Sequence, residues 1–140
     1  MKKNIIFICI HNSARSQMAE AYMKLFHGDK FNCYSAGLEQ GSLNPVVVDA
    51  MKLDNIDISN NKSKVVDLFL KGEIIFDYIV TVCDESSAEK CPYFPGNGNR
   101  IHIGFEDPAT LGGSYEDKLT STIKIRDEIK EKIKNIAKYL

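Results

Sequence analysis

Residues 4–16 read Asn4-Ile5-Ile6-Phe7-Ile8-Cys9-Ile10-His11-Asn12-Ser13-Ala14-Arg15-Ser16, and the fold turns on this stretch. Residues 4–9 are an apolar, largely β-branched and aromatic run, with the length and character of a strand buried on both faces of a parallel sheet. The run breaks abruptly at His11. From Ser16 the pattern becomes helical, with Met18, Ala19, Tyr22, Leu25 and Phe26 at three- and four-residue spacings, and the helix is expected to fade near Gly28. The unit is therefore strand, tight loop, helix.

The same alternation continues outward. Residues 31–36 form a second short strand stopped by Gly37, and Asn44-Pro45 is a helix start, with Pro45 at the first helical position of a segment running to residue 53. A short helical piece is expected over 63–70. Residues 76–83 are the clearest later strand and 100–103 a weaker one. Ile123, Ile129, Ile133, Ile136 and Leu140 mark one face of a long terminal helix, while Lys130, Lys132, Lys134 and Lys138 form its solvated face. Strands alternating with helices imply right-handed crossovers and a parallel sheet. The expected fold class is α/β, a three-layer sandwich with a four-stranded parallel sheet flanked by helices on both faces, flavodoxin-like, in one domain over 1–140. In such folds ligands bind at the carboxyl ends of the strands, where Cys9 and Cys83 both fall.

Composition narrows the function. The chain has 140 residues, 18 Lys and Arg against 19 Asp and Glu, and both signs are mixed throughout. There is no electrostatic footprint for nucleic acid or an anionic membrane, so any anion chemistry must be local. The apolar run at the N-terminus is too short for a signal-peptide core, and no later run is long enough to span a membrane. Four cysteines without an export signal point to a reducing compartment, the cytoplasm, where cysteines are more often catalytic, redox-active or metal-binding than structural.

The chemistry lies in the loop from Cys9 through Ile10, His11, Asn12, Ser13 and Ala14 to Arg15 and Ser16. A turn this tight at a helix N-terminus aims several backbone N–H groups into one concavity, and the helix dipole adds positive potential. Arg15 offers a planar fork of donors to two oxygens of a tetrahedral oxyanion. The same field favours the thiolate of Cys9, making it the candidate nucleophile. Ser16 is placed to hydrogen-bond that sulfur, and Asn12 to hold the loop.

These residues resemble the phosphate-binding loop of the low-molecular-weight protein tyrosine phosphatases. The run Asn12-Ser13-Ala14-Arg15-Ser16-Gln17-Met18-Ala19-Glu20 is similar, more particularly, to the thioredoxin-coupled arsenate reductases built on that fold. The likeness continues at Tyr34-Ser35-Ala36-Gly37, Asn44-Pro45, Asp57-Ile58-Ser59, Thr81-Val82-Cys83, Cys91-Pro92, Gly104-Phe105-Glu106-Asp107-Pro108-Ala109 and Arg126-Asp127-Glu128-Ile129, in order along nearly the whole chain.

The resemblance implies a relay. Cys9 attacks arsenate, Cys83 attacks the Cys9 sulfur to release arsenite, and Cys91 resolves the Cys9 to Cys83 disulfide. Thioredoxin then reduces the final Cys83 to Cys91 disulfide. A phosphatase needs only a nucleophile, a cradle and a general acid, whereas a reductase also needs two electrons, which the spare cysteines can supply. Were residues 84–90 helical in the reduced enzyme, with Asp84 as cap, Cys83 and Cys91 would lie about 12 Å apart along the axis, beyond the roughly 7 Å between Cα atoms that a disulfide tolerates. The segment is then expected to unwind during turnover.

By the same resemblance, Asp107 before Pro108 corresponds to the phosphatase general acid. Some family reductases bind potassium through Asn, Glu, Ser and Asp. The first three correspond to Asn12, Glu20 and Ser35, but Lys64 stands at the Asp position, so no metal and no cofactor are expected. Cys33 is expected to be core, His27 and His102 surface or structural residues, and Tyr93 and Phe94 either a thioredoxin-docking patch or the closure of a small core. The expected function is reduction of arsenate, with a phosphate-like oxyanion and thioredoxin as partners and the protein a monomer. The alternative is hydrolysis of phosphotyrosine-like esters through a Cys9 thiophosphate.

Overall fold

The structure, a computed structural model, describes residues 1–70, 72–84 and 94–140. Strand β1 (Lys3–Cys9) is followed by α1 (Arg15–His27), β2 (Phe31–Gly37), α2 (Pro45–Lys52), a 3-10 turn (Val66–Phe69), β3 (Tyr78–Thr81), β4 (Asn99–His102), a second 3-10 turn (Pro108–Thr110) and α3 (Tyr115–Ile136). All four strands are parallel in the order β2-β1-β3-β4. The chain leaves β1 first toward one neighbour and later toward the other, so the loop after Cys9 sits where the strand order reverses. That crevice is the ligand position of open α/β sheets.

Alternate residues of the central strand serve opposite layers. Ile5, Phe7 and Cys9 join Met18, Tyr22, Val47, Met51, Ile125, Ile129 and Ile133 in the larger core, whereas Ile6 and Ile8 join Ala36, Val66, Phe76, Ile79 and Phe94 on the other face. The helices are thus distributed unevenly. Among the described residues α1, α2 and α3 all pack on the first face, and the second is covered by the first 3-10 turn and an aromatic group in which Phe76 meets Tyr34, Phe69 and Phe94 edge to face at 5.4–5.8 Å. The helical piece expected over 63–70 shrinks to four residues because the backbone before it is used elsewhere: Lys64 O accepts from Gly37 N, and Val65 bridges Gly37. Phe94 closes that smaller core, as one of its two expected roles required.

Some expected side-chain placements shift. Leu25 is 60 % exposed, and Met23 is buried instead. On α3 the buried stripe is Thr122, Ile125, Ile129, Ile133 and Ile136, with Ile123 only half-buried. Lys130 is not simply solvated. Its Nζ lies 2.9 Å from Asp54 Oδ2, which also accepts from Tyr22 Oη at 2.7 Å, tying α1, the turn after α2, and α3 together. Strand β3 is shorter than expected, although the ladder to β1 extends past it through Asp77 N to Asn4 O and Val82 N to Ile8 O.

The helix starts differ in a way that matters. Asn44 Oδ1 caps α2 by accepting from Val46 N, and Ser114 and Asp117 form a capping box on α3. Helix α1 begins after Ala14 with no side-chain cap and no acidic residue in its first turn. Its orphan N–H groups remain for another acceptor.

Burial raises the Asp54 carboxyl, but the hydrogen bonds from Tyr22 and Lys130 outweigh that and hold it below its ordinary 3.8. The stability it contributes is present above the unfolded value and lost as pH falls through the folded one. Asp54→Asn is expected to lower denaturant stability at neutral pH, the gap to wild type closing below about pH 4; an equal gap at pH 7 and pH 3 would contradict this.

Candidate functional site

The loop between β1 and α1 is shaped by where its carbonyls go. Five consecutive oxygens each meet a donor outside the turn: Cys9 O from Leu38 N at 3.3 Å, Ile10 O from Glu39 N at 2.9 Å, His11 O from Ser63 Oγ at 2.7 Å, Asn12 O from Gln17 Nε2 at 3.3 Å and Ser13 O from Asn44 N at 3.0 Å. Ala14 O then accepts from Met18 N at 2.9 Å as the helix begins. With the acceptors drawn outward, the donors are left to the concavity. Asn12 takes the left-handed conformation the turn requires, at φ 52°, which Asn tolerates better than most residues. Gly37 permits the close approach: a Cβ there would stand 2.7 Å from both Asn12 N and Ile10 O.

The Cys9 sulfur is buried, receives Asn12 N–H at 3.2 Å and lies 2.9 Å from Ser16 Oγ. Asn12 Nδ2 donates to the same hydroxyl at 2.7 Å, while Asn12 Oδ1 accepts from Lys64 N and Gln17 Nε2, both at 2.9 Å. Arg15 is only 3 % exposed; it donates through Nη1 to Phe105 O at 3.2 Å and places Nη2 3.5 Å from Asp107 Oδ2. Asp107 Oδ1 accepts from Ala109 N at 2.9 Å, an arrangement in which the Asp-Pro step starts the second 3-10 turn. The His11 ring points outward to Glu39, so its contribution to the loop is through the backbone. Cys9, Ser16, Asn12, Arg15 and Asp107 are therefore brought together.

Cys83 is buried two residues beyond the end of β3, in the same core cluster as Cys9, and is disulfide-bonded, whereas Cys9 and Cys33 are free thiols. Cys91 and Tyr93 lie outside the described residues, as does most of the 84–90 segment expected to be helical. Cys33 is core: burial, with the Glu20 carboxylate adding to it, pushes its thiol up to about 11. His27 Nε2 meets Ile133 O, and His102 Nδ1 meets Thr81 Oγ1, both in structural contacts.

Beside the loop, the buried Glu20 carboxylate accepts from Ser35 Oγ and is flanked by Lys24 Nζ at 2.6 Å and Lys64 Nζ at 3.9 Å. The chain thus supplies its own cations to this carboxylate, and the donor set does not fit an additional potassium ion. Among the described residues no cluster of three or more His, Cys, Asp or Glu could hold a metal, and no helix is long and apolar enough to cross a membrane.

Sequence reasoning gave no role to Gln17, Ser63 or Lys64 N–H, all of which hold the loop from behind. Gln17 has 0 % exposure, but its neighbours at i+3 and i+7 are Glu20 and Lys24, so the helical pattern gives it a polar face and carries no signal for its burial.

Comparison with known proteins agrees with this geometry. Residues 4–140 match the model of the family described as low molecular weight phosphotyrosine protein phosphatase. An arsenate reductase of Bacillus licheniformis is 44 % identical over 136 residues, covering 97 % of this chain and 96 % of that protein. Among solved structures, the crystal structure of an arsenate reductase from Archaeoglobus fulgidus superposes with a TM-score of 0.78 at 28 % identity, covering 96 % of this chain and 98 % of the other. An arsenate reductase in a phosphate-binding state matches with a TM-score of 0.72 at 27 % identity over 98 % of both chains. With a Cys9 to Arg15 cradle at the switch point of a 2-1-3-4 sheet and a family match over nearly its full length, the chain belongs to the low molecular weight phosphotyrosine protein phosphatase family and groups there with the arsenate reductases.

Proposed function

We propose that residues 1–140 act as one catalytic domain that reduces arsenate to arsenite through Cys9, Cys83 and Cys91, with thioredoxin returning the enzyme to its dithiol state. The observation that carries this reading is the Cys9 sulfur lying under an uncapped helix start, hydrogen-bonded by Asn12 N–H and Ser16, with Arg15 alongside and Cys83 at the neighbouring strand end. The homologous arsenate reductases support the substrate, and the one in a phosphate-binding state supports a tetrahedral oxyanion in the cradle.

The steps balance with no added cofactor. The Cys9 thiolate attacks As(V) and displaces water, and the loop N–H groups and Arg15 take the oxyanion charge. The Cys83 thiolate then attacks Cys9 Sγ; as the S–S bond forms, the As–S pair stays on arsenic, which leaves as arsenite. Cys91 attacks Cys83, freeing Cys9, and a dithiol protein reduces the resulting disulfide. To Asp107, whose Oδ2 lies 3.5 Å from Arg15 Nη2, this reading assigns the proton that goes to the departing oxygen. The chain is proposed to work as a monomer in the cytoplasm, where four cysteines are more often redox-active than structural.

Phosphate-ester hydrolysis is the second reading, and Asp107 beside Arg15 is the feature it would use. Full-length similarity to arsenate reductases does not favour it.

Arsenite formation measured with reduced thioredoxin, thioredoxin reductase and NADPH is expected for wild type and lost in Cys9→Ser, Cys83→Ser and Cys91→Ser. Absence of wild-type turnover beside robust aryl-phosphate hydrolysis needing only Cys9 would replace the reductase by a phosphatase. Arg15→Lys, which keeps the charge but loses the bidentate fork, is expected to cost about tenfold or more in kcat/KM for arsenate; an unchanged value would remove Arg15 from the cradle.

A further inference from the structure

The hydroxyl of Ser16 carries one proton, and its direction decides whether Ser16 stabilises a thiolate at Cys9 or merely accepts from a thiol. Three buried side chains bias it. Gln17 Nε2 faces two backbone carbonyls, Asn12 O at 3.3 Å and Lys62 O at 3.0 Å, which only accept, so its amide has one orientation. On its other side Gln17 Oε1 accepts from Asn61 Nδ2 at 3.1 Å. Oriented this way, Nε2 also donates to Asn12 Oδ1, the atom that accepts from Lys64 N–H. With Oδ1 fixed by two donors, Asn12 must present Nδ2 to Ser16 Oγ. Ser16 Oγ accepts there with one lone pair, so its own proton is not used toward Asn12 and is free to point to the Cys9 sulfur 2.9 Å away, where Asn12 N–H also converges. Gln17, Asn12 and Ser16 each have 0 % exposure, so no water competes for these roles.

We propose that Gln17 is a positioning residue for the nucleophile: it locks the amide of Asn12 and thereby turns the Ser16 hydroxyl proton toward Cys9, favouring the thiolate. Gln17 touches neither the sulfur nor the oxyanion. The inference takes from the proposed function only that Cys9 is the nucleophile, and its test is run without oxyanion. Failure of arsenate turnover in wild type would sink that reading and leave this one standing.

The test is alkylation of fully reduced protein by iodoacetamide, with the Cys9 peptide quantified by mass spectrometry from about pH 5 to pH 9. At low pH the thiolate fraction limits the rate. Gln17→Met, close in volume but without donors, is expected to slow Cys9 alkylation about tenfold at the acid end and much less at the alkaline end, the size expected for losing one hydrogen bond to a charged group. Ser16→Ala should do the same. The double variant should be no slower than Ser16→Ala alone, because Gln17 acts only through that hydroxyl. A rate in Gln17→Met equal to wild type, a slowing that is uniform across pH, or effects that multiply in the double variant would each overturn the proposal. Should Gln17→Met fail to fold, the surface variant Asn61→Ala releases the far end of the same amide. A two- to threefold slowing confined to low pH is expected there, and a wild-type profile refutes the proposal.

Discussion

The structure depends on the outward pull on the carbonyls of residues 9–13. A seven-residue turn that gathers N–H groups around an anion must dispose of its carbonyl oxygens elsewhere, since an unpaired buried acceptor costs about 1–3 kcal/mol. Here the five draw donors from four parts of the chain: the backbone after β2, which serves two of them, Asn44 N at the start of α2, Ser63 from the following loop, and Gln17 from α1. The site is therefore no local motif. It is the point where β2, α2 and the 61–64 segment converge on the end of β1, and Gly37 is glycine because two backbones meet there.

Charge follows the same economy. With a net charge of −1, the protein draws anions by local geometry and not by its overall field. Arg15 is nearly fully buried and shares its guanidinium between Phe105 O and Asp107, so an entering oxyanion competes with a carboxylate already in place. Glu20 would be an uncompensated buried anion beside the loop were it not for Ser35, Lys24 and Lys64. Helices α2 and α3 carry side-chain caps and α1 does not. A capping carboxylate at α1 would fill the position that the oxyanion needs, so the omission costs local stability where function requires it.

Much of the fold was legible because one physical signal repeated. Buried parallel strands read as continuous apolar runs and amphipathic helices as three- and four-residue spacings, so the alternation and the parallel sheet followed, as did Asn44-Pro45 as a helix start. The misplacements share a cause. Leu25 and Ile123 are apolar at helical spacing yet lie off the buried face, because which arc of a helix is covered depends on its neighbours. Lys130 looked solvated until Asp54 and Tyr22 arrived from distant parts of the chain. The 63–70 piece is mostly not helical because its backbone serves β2 and the loop.

The chemical inventory is already in the order of the residues: a cysteine and an arginine six positions apart across a strand-to-helix turn, a hydroxyl after the arginine, and further cysteines in family order. These follow from residue types and short spacings, which local sterics and hydrogen bonding translate directly into a turn. Tertiary structure alone decided what stands behind that turn. Gln17, Ser63, Lys64 N–H and Asp107 lie between 2 and 92 residues from Arg15 along the chain. Gln17 reaches Asn12 from within the same loop and helix start, but Ser63, Lys64 N–H and Asp107 meet the loop because packing of the sheet and helices brings remote segments within reach, and the energies of all these contacts depend on burial that only the folded chain creates.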